Sequence, residues 1–126
     1  MELGLQGCVA IVTGSSSGMG YATAMSLAAE GCNVTLFARR QDKLDEAVAA
    51  IEVLGSGARA IAVVGDSRKP ADLKAALDRT LATFGRLDIL VNNTGGPPAG
   101  GFEDFDEDAW RNAWELTLIS DCRLRL

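Results

Sequence analysis

The sequence lacks histidine altogether and contains a single tyrosine, Tyr21. Without histidine, the chain has neither the commonest general base nor the commonest metal ligand of proteins. Its three cysteines, Cys8, Cys32 and Cys122, are odd in number and far apart, which argues against a disulfide framework and a metal site. No apolar run approaches membrane-spanning length, and the first residues carry no basic segment. We therefore expect a cytoplasmic protein without a membrane or metal partner.

Positive charge is scarce as well: no lysine or arginine precedes Arg39, and the formal net charge is −5. An acidic balance argues against non-specific binding to nucleic acid. The phosphate loop of nucleotide hydrolases is excluded, because it requires a Gly-Lys-Ser/Thr sequence that the N-terminal region does not contain. With 48% hydrophobic and 23% charged residues, the composition is that of one folded domain, 1–126.

What the N-terminal region does contain is a glycine-rich turn between an apolar run, 9–12, and an alanine-rich helical pattern. The sequence of this turn is Thr13-Gly14-Ser15-Ser16-Ser17-Gly18-Met19-Gly20. A turn from strand to helix presents backbone N–H groups and the positive end of the helix dipole to a phosphate. Glycine suits it, because some positions need φ > 0 and others the close approach of a second backbone. The turn predicts a dinucleotide site in which no lysine takes part.

The rest of the chain alternates apolar strands with amphipathic helices. This alternation predicts an α/β fold, a Rossmann-like doubly wound parallel sheet of about four strands that is covered on both faces. Right-handed crossovers favour the strand order 3-2-1-4, with ligands bound where the order reverses, between strands one and four. The predicted strands cover 8–12, 33–38, 60–64 and 87–91, and the predicted helices cover 18–30, 42–54, 70–84 and a last segment capped by Asp106.

The spacing of apolar residues also predicts which side chains are buried. Cys8 is expected in the core as a small apolar residue. The stripe of the third helix that faces the sheet is expected to consist of Leu73, Leu77, Thr80, Leu81 and Phe84. One face of the last helix carries Trp110, Ala113, Trp114, Thr117 and Leu118.

Two motifs together make the chain similar to the short-chain dehydrogenase/reductase family. One is the Thr-Gly-x-x-x-Gly-x-Gly turn at 13–20. The other is Asn92-Asn93-Thr94-Gly95 after the fourth strand, where the family usually has Asn-Asn-Ala-Gly. Asp66 and the stretch that begins at Gly85 also resemble the family. The chain looks like the N-terminal, coenzyme-binding half of a short, single-domain member of the 3-oxoacyl-carrier-protein-reductase type.

The resemblance implies which residues bind the coenzyme. Asp66, with Ser67 beside it, would receive the amino group of adenine. Asn93 and Gly95 would line the adenosine ribose, whereas Asn92 would tie the central strands together. The turn residues that would surround the pyrophosphate and reach the nicotinamide side are Gly14, Ser15, Ser16, Ser17, Gly18, Met19 and Gly20.

The end of the second strand bears on the choice of coenzyme. NAD-preferring members of the family place an acidic residue there, which accepts hydrogen bonds from the ribose hydroxyls. This chain has Ala38, followed by Arg39 and Arg40. No carboxylate would repel a 2′-phosphate, and two guanidiniums could pair with it. We therefore expect NADP as the coenzyme, with NAD as the alternative.

The family's catalytic residues are missing from the sequence. They are a serine and a Tyr-x-x-x-Lys, which in the family follow the segment that this chain covers. The only tyrosine, Tyr21, has Met25 four residues later. We predict no catalytic residue here, although Thr117 stands at the position of the family's active-site asparagine. The chain is expected to be the coenzyme half of a longer reductase, truncated at its C-terminus and inactive alone.

Two functions from different classes remain open. One is an NADP-dependent oxidoreductase that moves hydride between nicotinamide and a small carbonyl or secondary alcohol. The other is a non-catalytic dinucleotide-binding or interaction module. A methyltransferase with the same first turn is disfavoured, because Arg39 stands where an acid would bind the ribose. Since strand four would form an unprotected edge, and the resemblance implies a dimer interface on the last helix, we also expect a homo-oligomer.

Overall fold

The computed structural model of the protein describes residues 2–94 and 98–119. Four strands, β1 (Val9–Thr13), β2 (Asn33–Ala38), β3 (Ala60–Val64) and β4 (Ile89–Val91), form one parallel sheet. Their order is β3-β2-β1-β4, which confirms the predicted α/β, Rossmann-like topology. The helices are α1 (Gly18–Ala29), α2 (Gln41–Glu52), α3 (Pro70–Phe84) and α4 (Glu107–Trp114), the last preceded by a 3-10 turn at Phe102–Asp104.

Strand β1 lies in the middle of the sheet and is buried along its whole length. Ala10 pairs with Val34 of β2 on one side and with Ile89 of β4 on the other. Because the strands are parallel, their carboxyl ends meet at one edge of the sheet. The loops that follow the strands share that edge, which is where open α/β sheets bind their ligands.

Helix α1 packs on the sheet through a stripe of small residues. Its buried residues are Gly20, Ala24 and Ala28, which recur every four positions and therefore lie on one face. Small side chains let the helix approach the strands closely. This packing keeps the N-terminus of α1 next to the carboxyl end of β1.

One polar contact lies inside the core, between β2 and α3. The hydroxyl oxygens of Thr35 and Thr80 are 2.7 Å apart, and both residues are fully buried. Thr80 donates its hydroxyl hydrogen to the carbonyl oxygen of Ala76 at 2.7 Å, so the hydrogen between the two threonines comes from Thr35. Both hydroxyl hydrogens are used, as buried polar groups require.

The buried face of α3 differs from the predicted one. Leu73, Ala76 and Thr80 are buried, whereas Leu77 is half-buried and Leu81 is 43% exposed. The buried residues are three or four positions apart and form one line along the helix. Leu81 lies about 100° round the helix axis from Thr80, so its side chain lies outside the face that packs on the sheet.

Two boundaries at the amino edge of the sheet also differ from the prediction. Strand β4 begins later, at Ile89, because the carboxylate of Asp88 takes part in the pairing with β1. Oδ2 of Asp88 accepts the N–H of Val9 at 2.9 Å, and the N–H of Asp88 donates to the carbonyl oxygen of Val9 at 2.9 Å. Cys8 precedes β1 and is half-buried at the margin of the core rather than inside it.

Helix α4 begins as predicted, with Oδ1 of Asp106 accepting the N–H of Ala109 at 2.9 Å. After Trp114 the helix widens into a π-helical turn at Glu115–Ile119. Within the described residues, no helix combines the length and the apolar character that crossing a membrane requires.

Candidate functional site

A cavity of about 420 Å³ opens at the carboxyl edge of the sheet. Segments that follow all four strands contribute to it, as expected where the strand order reverses. The lining residues are Gly14, Ser16, Ser17, Met19, Phe37, Ala38, Arg39, Arg40, Gly65, Asp66, Ser67, Asn93, Thr94 and Leu116. One cavity therefore brings together motifs that are far apart in the sequence.

The glycine-rich turn is shaped by close backbone contacts. A Cβ on Gly20 would collide with the carbonyl oxygen of Gly14 and would lie 2.7 Å from Nδ2 of Asn93. A Cβ on Gly14, where φ is +60°, would lie 2.6 Å from the carbonyl oxygen of Asn93. Both positions exclude a side chain, because the turn, α1 and the end of β4 meet there.

The N-terminus of α1 lies at the cavity, since Ser17 and Met19 both line it. The N-cap residue Ser17 has an extended backbone and makes no capping bond with its side chain, and the first turn holds no acidic residue. The first N–H groups of a helix have no acceptor within the helix. These groups, together with the helix dipole, suit an anion such as a pyrophosphate.

Thr13 joins the turn to Asn93, the second residue after β4. Its hydroxyl oxygen accepts the N–H of Asn93 at 2.8 Å, and its O–H donates to the carbonyl oxygen of the same residue at 2.8 Å. Nδ2 of Asn93 donates to the carbonyl oxygen of Gly14 at 3.2 Å. Asn93 therefore makes the tie that the resemblance assigned to Asn92, which is exposed. Successive residues of an extended chain point to opposite sides, so only one of the two asparagines can face β1.

The two arginines after β2 are not equivalent. Nη2 of Arg40 lies 2.9 Å from Oδ2 of Asp42, and both side chains are exposed. Arg39 forms no ion pair with a residue of 2–94 or 98–119, although its charge helps to lower the pKa of Asp66. A phosphate at this wall would meet Arg39 as a guanidinium that no carboxylate of the described residues binds.

Asp66 lies in the turn after β3, and Arg68 holds its carboxylate. Nη2 of Arg68 lies 2.7 Å from Oδ2, and Nε lies 3.0 Å from Oδ1. The hydrogen bonds from Arg68 are the main reason why the pKa of Asp66 falls to about 2, against the opposing effect of burial. The carboxylate is charged at neutral pH and can only accept hydrogen bonds, which suits a donor such as an amino group.

The position of the family's asparagine does not reach the cavity. Thr117 lies in the π-helical turn and is exposed, whereas its neighbour Leu116 lines the cavity. A π-helical turn holds more residues than an α-helical one, so the faces of the helix shift at this point. The face predicted from α-helical spacing therefore does not continue through Thr117.

Most of the residues predicted to bind the coenzyme line the cavity, whereas three of the described ones do not. Ser15 is buried, and its hydroxyl donates to the carbonyl oxygen of Phe37 at 3.4 Å. Gly18 and Gly20 belong to the turn without lining the cavity. Gly95 lies outside the described residues.

The residues of the site that were not predicted from the sequence include Thr13, Leu116 and Arg68. The sequence does contain a signal for the ion pair of Arg68, because an aspartate stands two positions before it. Arg86 and Asp88, which have the same spacing, form an ion pair with a distance of 2.6 Å. Thr13 carries no such signal, since its hydroxyl meets a residue 80 positions away. Leu116 reaches the cavity only because the helix changes its winding.

Comparison with known sequences identifies relatives over nearly the whole chain. The family model for short chain dehydrogenases matches residues 8–123. The chain is 33% identical over 115 residues to the peroxisomal 2,4-dienoyl-CoA reductase of Arabidopsis thaliana, and 44% identical over 103 residues to the 11-beta-hydroxysteroid dehydrogenase-like 4A protein of the same plant. These alignments cover 91% and 82% of this chain but 38% and 34% of the relatives. The chain therefore spans about a third of their length.

Solved structures of similar sequence share the fold. L-sorbose reductase from Gluconobacter frateurii, complexed with NADPH and L-sorbose, superimposes with a TM-score of 0.90 at 36% identity, covering 98% of this chain and 47% of that one. A short chain dehydrogenase from Burkholderia cenocepacia in complex with NADP gives 0.88 at 39% identity, with coverage of 95% and 49%. The chain spans about half of these structures. A particular likeness to 3-oxoacyl-carrier-protein reductases stays a prediction.

Proposed function

The chain belongs to the short-chain dehydrogenase family, and we propose that it is the NADP-binding part of an oxidoreductase. When bound, the coenzyme would supply hydride transfer to or from a small carbonyl or secondary alcohol. The observation that carries the proposal is the cavity in which the glycine-rich turn, Arg39 and Asp66 lie together. NADPH and NADP in the two related structures support it.

The residues of the cavity fit a dinucleotide at several points. The amides at the N-terminus of α1 would hold the pyrophosphate, with the helix dipole in the favourable direction. Asp66 would accept a hydrogen bond from the amino group of adenine, and Asn93 would line the ribose. Met19, which is 79% exposed beside the cavity, would lie toward the nicotinamide.

The preference for NADP over NAD rests on the end of β2. Ala38 places no carboxylate where a 2′-phosphate would lie. Arg39 has no ion-pair partner among the described residues, whereas Arg40 is bound to Asp42. Hydrogen bonds from a guanidinium to a phosphate are charge-assisted and often bidentate. We assign the larger share of the selectivity to Arg39.

Arg39→Ala is expected to weaken NADPH binding by about 10- to 100-fold, since a hydrogen bond to a charged group contributes about 1.5–3 kcal/mol. NADH binding should change little, because NADH lacks the phosphate. The control variant Arg40→Ala should lose less NADPH affinity, because its guanidinium is already shared with Asp42. Titrations that follow nicotinamide fluorescence give all of these dissociation constants. Equal affinity of the unaltered chain for NADPH and NADH would contradict the proposal.

Two observations favour the alternative, a non-catalytic dinucleotide-binding or interaction module. The 126 residues contain no Tyr-x-x-x-Lys, and Thr117 is exposed outside the cavity. Both functions use the same coenzyme site and differ only in turnover. The cytoplasmic location and the lack of a nucleic-acid partner stay predictions from the sequence.

We also propose that the chain associates with itself. β4 forms one edge of the described sheet, and three large apolar side chains of the last helical segment are about half exposed: Trp110 (49%), Trp114 (56%) and Leu118 (51%). Burial of such a side chain contributes about 1.5–3 kcal/mol, so contact between two copies through this surface is favourable.

Sedimentation velocity at micromolar concentration is expected to show a dimer or a larger species. Trp114→Glu should shift the protein toward the monomer, because a charge would be buried in the contact. Val53→Glu is the control: Val53 is 83% exposed at the end of α2, away from this surface. A monomer at every concentration, or the same shift in both variants, would refute self-association through this face.

A further inference from the structure

One arginine beside the cavity has no role in the proposed function. Arg68 does not line the cavity, but it contacts the carboxylate of Asp66, which does. Nε of Arg68 lies 3.0 Å from Oδ1 and 3.2 Å from Oδ2, Nη2 lies 2.7 Å from Oδ2, and the backbone N–H donates to Oδ1 at 2.9 Å. A single residue thus holds both oxygens of Asp66.

The backbone that carries this pair is itself held in place. The N–H of Asp66 donates to Oδ2 of Asp72, in the first turn of α3, at 2.9 Å. The N–H of Lys69 donates to the carbonyl oxygen of Asp66 at 2.9 Å. The carboxylate therefore has one orientation relative to β3 and α3, and its side chain is only 16% exposed.

The carboxylate still has room for one more donor. An ionised carboxylate offers about four acceptor positions. Arg68 offers three hydrogens to them: its backbone N–H donates to Oδ1, Nη2 donates to Oδ2, and the N–H of Nε is shared between Oδ1 at 3.0 Å and Oδ2 at 3.2 Å. One acceptor position therefore remains on this carboxylate, whose side chain lines the cavity.

We propose that Arg68 is a positioning residue, which holds Asp66 so that one carboxylate oxygen accepts a hydrogen bond from the exocyclic amino group of the coenzyme's purine. This inference rests on the proposed coenzyme site. A fixed carboxylate that can only accept favours an amino group over a carbonyl oxygen at that position, because the carbonyl would bring two acceptors together. Without Arg68, the same carboxylate would rotate toward solvent and discriminate less.

The test compares NADPH with its hypoxanthine analogue, in which a carbonyl oxygen replaces the amino group. The unaltered chain is expected to prefer NADPH by about tenfold or more, the range for a hydrogen bond to a charged group. Arg68→Met, which keeps the length of the side chain and removes its donors, should lose most of this preference. NADPH affinity should fall while affinity for the analogue changes little. Fluorescence titration of the reduced nicotinamide measures both constants without requiring turnover.

Arg86→Met is the matched control, since Arg86 makes the same kind of contact with an aspartate two positions away, outside the cavity. It should keep the preference of the unaltered chain. Arg68→Lys keeps the charge but loses the two-point contact, so its preference for NADPH over the analogue should be reduced. This variant replaces Arg68→Met in the test if circular dichroism shows that Arg68→Met does not fold.

Three outcomes overturn the inference. An equal loss of affinity for both nucleotides in the Arg68 variants, or an unchanged preference, refutes the positioning role alone and leaves the proposed coenzyme site standing. Failure of the unaltered chain to bind either nucleotide refutes the proposed function, and the role of Arg68 with it.

Discussion

Purified protein of these 126 residues is expected to reduce no ketone with NADPH above the rate of a control without protein. The proposed reaction needs a proton donor beside the substrate, and loss of a positioned acid or base alone lowers a rate by about 10²–10⁴-fold. The chain has no histidine, and its one tyrosine, Tyr21, lies on α1 beside the core, with Met25 in place of a lysine four residues later. Following NADPH absorbance over a panel of small ketones measures the rate.

This result has meaning only if the same preparation binds NADPH, so the titration described above is its control. A full-length member of the family, assayed in parallel, shows that the substrates and conditions support turnover. Reduction of any ketone by the 126-residue chain, well above the control, would overturn the assignment of this chain as a binding part without its own catalytic acid.

Gly20→Ala is expected to damage both the fold and the site. The new Cβ would collide with the carbonyl oxygen of Gly14 and approach Nδ2 of Asn93, which is itself bonded to that oxygen. Both are held in place, so the turn must move. Insertion of a methyl group into a packed position costs about 1–3 kcal/mol, and displaced amides would lower NADPH affinity by at least about tenfold. Urea unfolding and coenzyme titration measure the two effects.

Gly18→Ala separates this collision from backbone strain. Gly18 has φ +60°, but a Cβ there would meet nothing within 4 Å. The variant should lose about 1–2 kcal/mol of stability, the cost of the left-handed conformation, and should keep more of its NADPH affinity than Gly20→Ala. Equal behaviour of the two variants would show that the approach of α1 to the turn is not what shapes the site.

The architecture could be predicted because it depends on rules that act along the sequence. Apolar runs alternating with amphipathic helices require a parallel sheet, and the handedness of crossovers leaves few orders for four strands. The location of the cavity follows from that order. This explains why residues as distant as Gly14, Asp66 and Asn93 line one cavity.

The pairing of individual side chains could not be predicted in the same way. Arg39 and Arg40 are neighbours of identical chemistry, and they differ only because Asp42 lies within reach of one of them. Asn92 and Asn93 are distinguished by the side of the chain on which each lies when β4 meets β1. Leu81 is exposed because α3 presents a narrower face to the sheet than its apolar pattern suggests. Each outcome depends on the relative orientation of elements distant in the sequence.

The bonds between Thr13 and Asn93 also bear on the order of events during synthesis. They join positions 80 residues apart, so the glycine-rich turn leaves the ribosome long before its partner exists. At a translation rate of about 5–20 residues per second, the turn waits roughly 4–16 s for Asn93. During that interval the chain carries the nucleotide motif without the nucleotide site. Coenzyme can therefore bind the nascent chain only after β4 has emerged and paired with β1. It then stabilises a four-stranded sheet that has already formed.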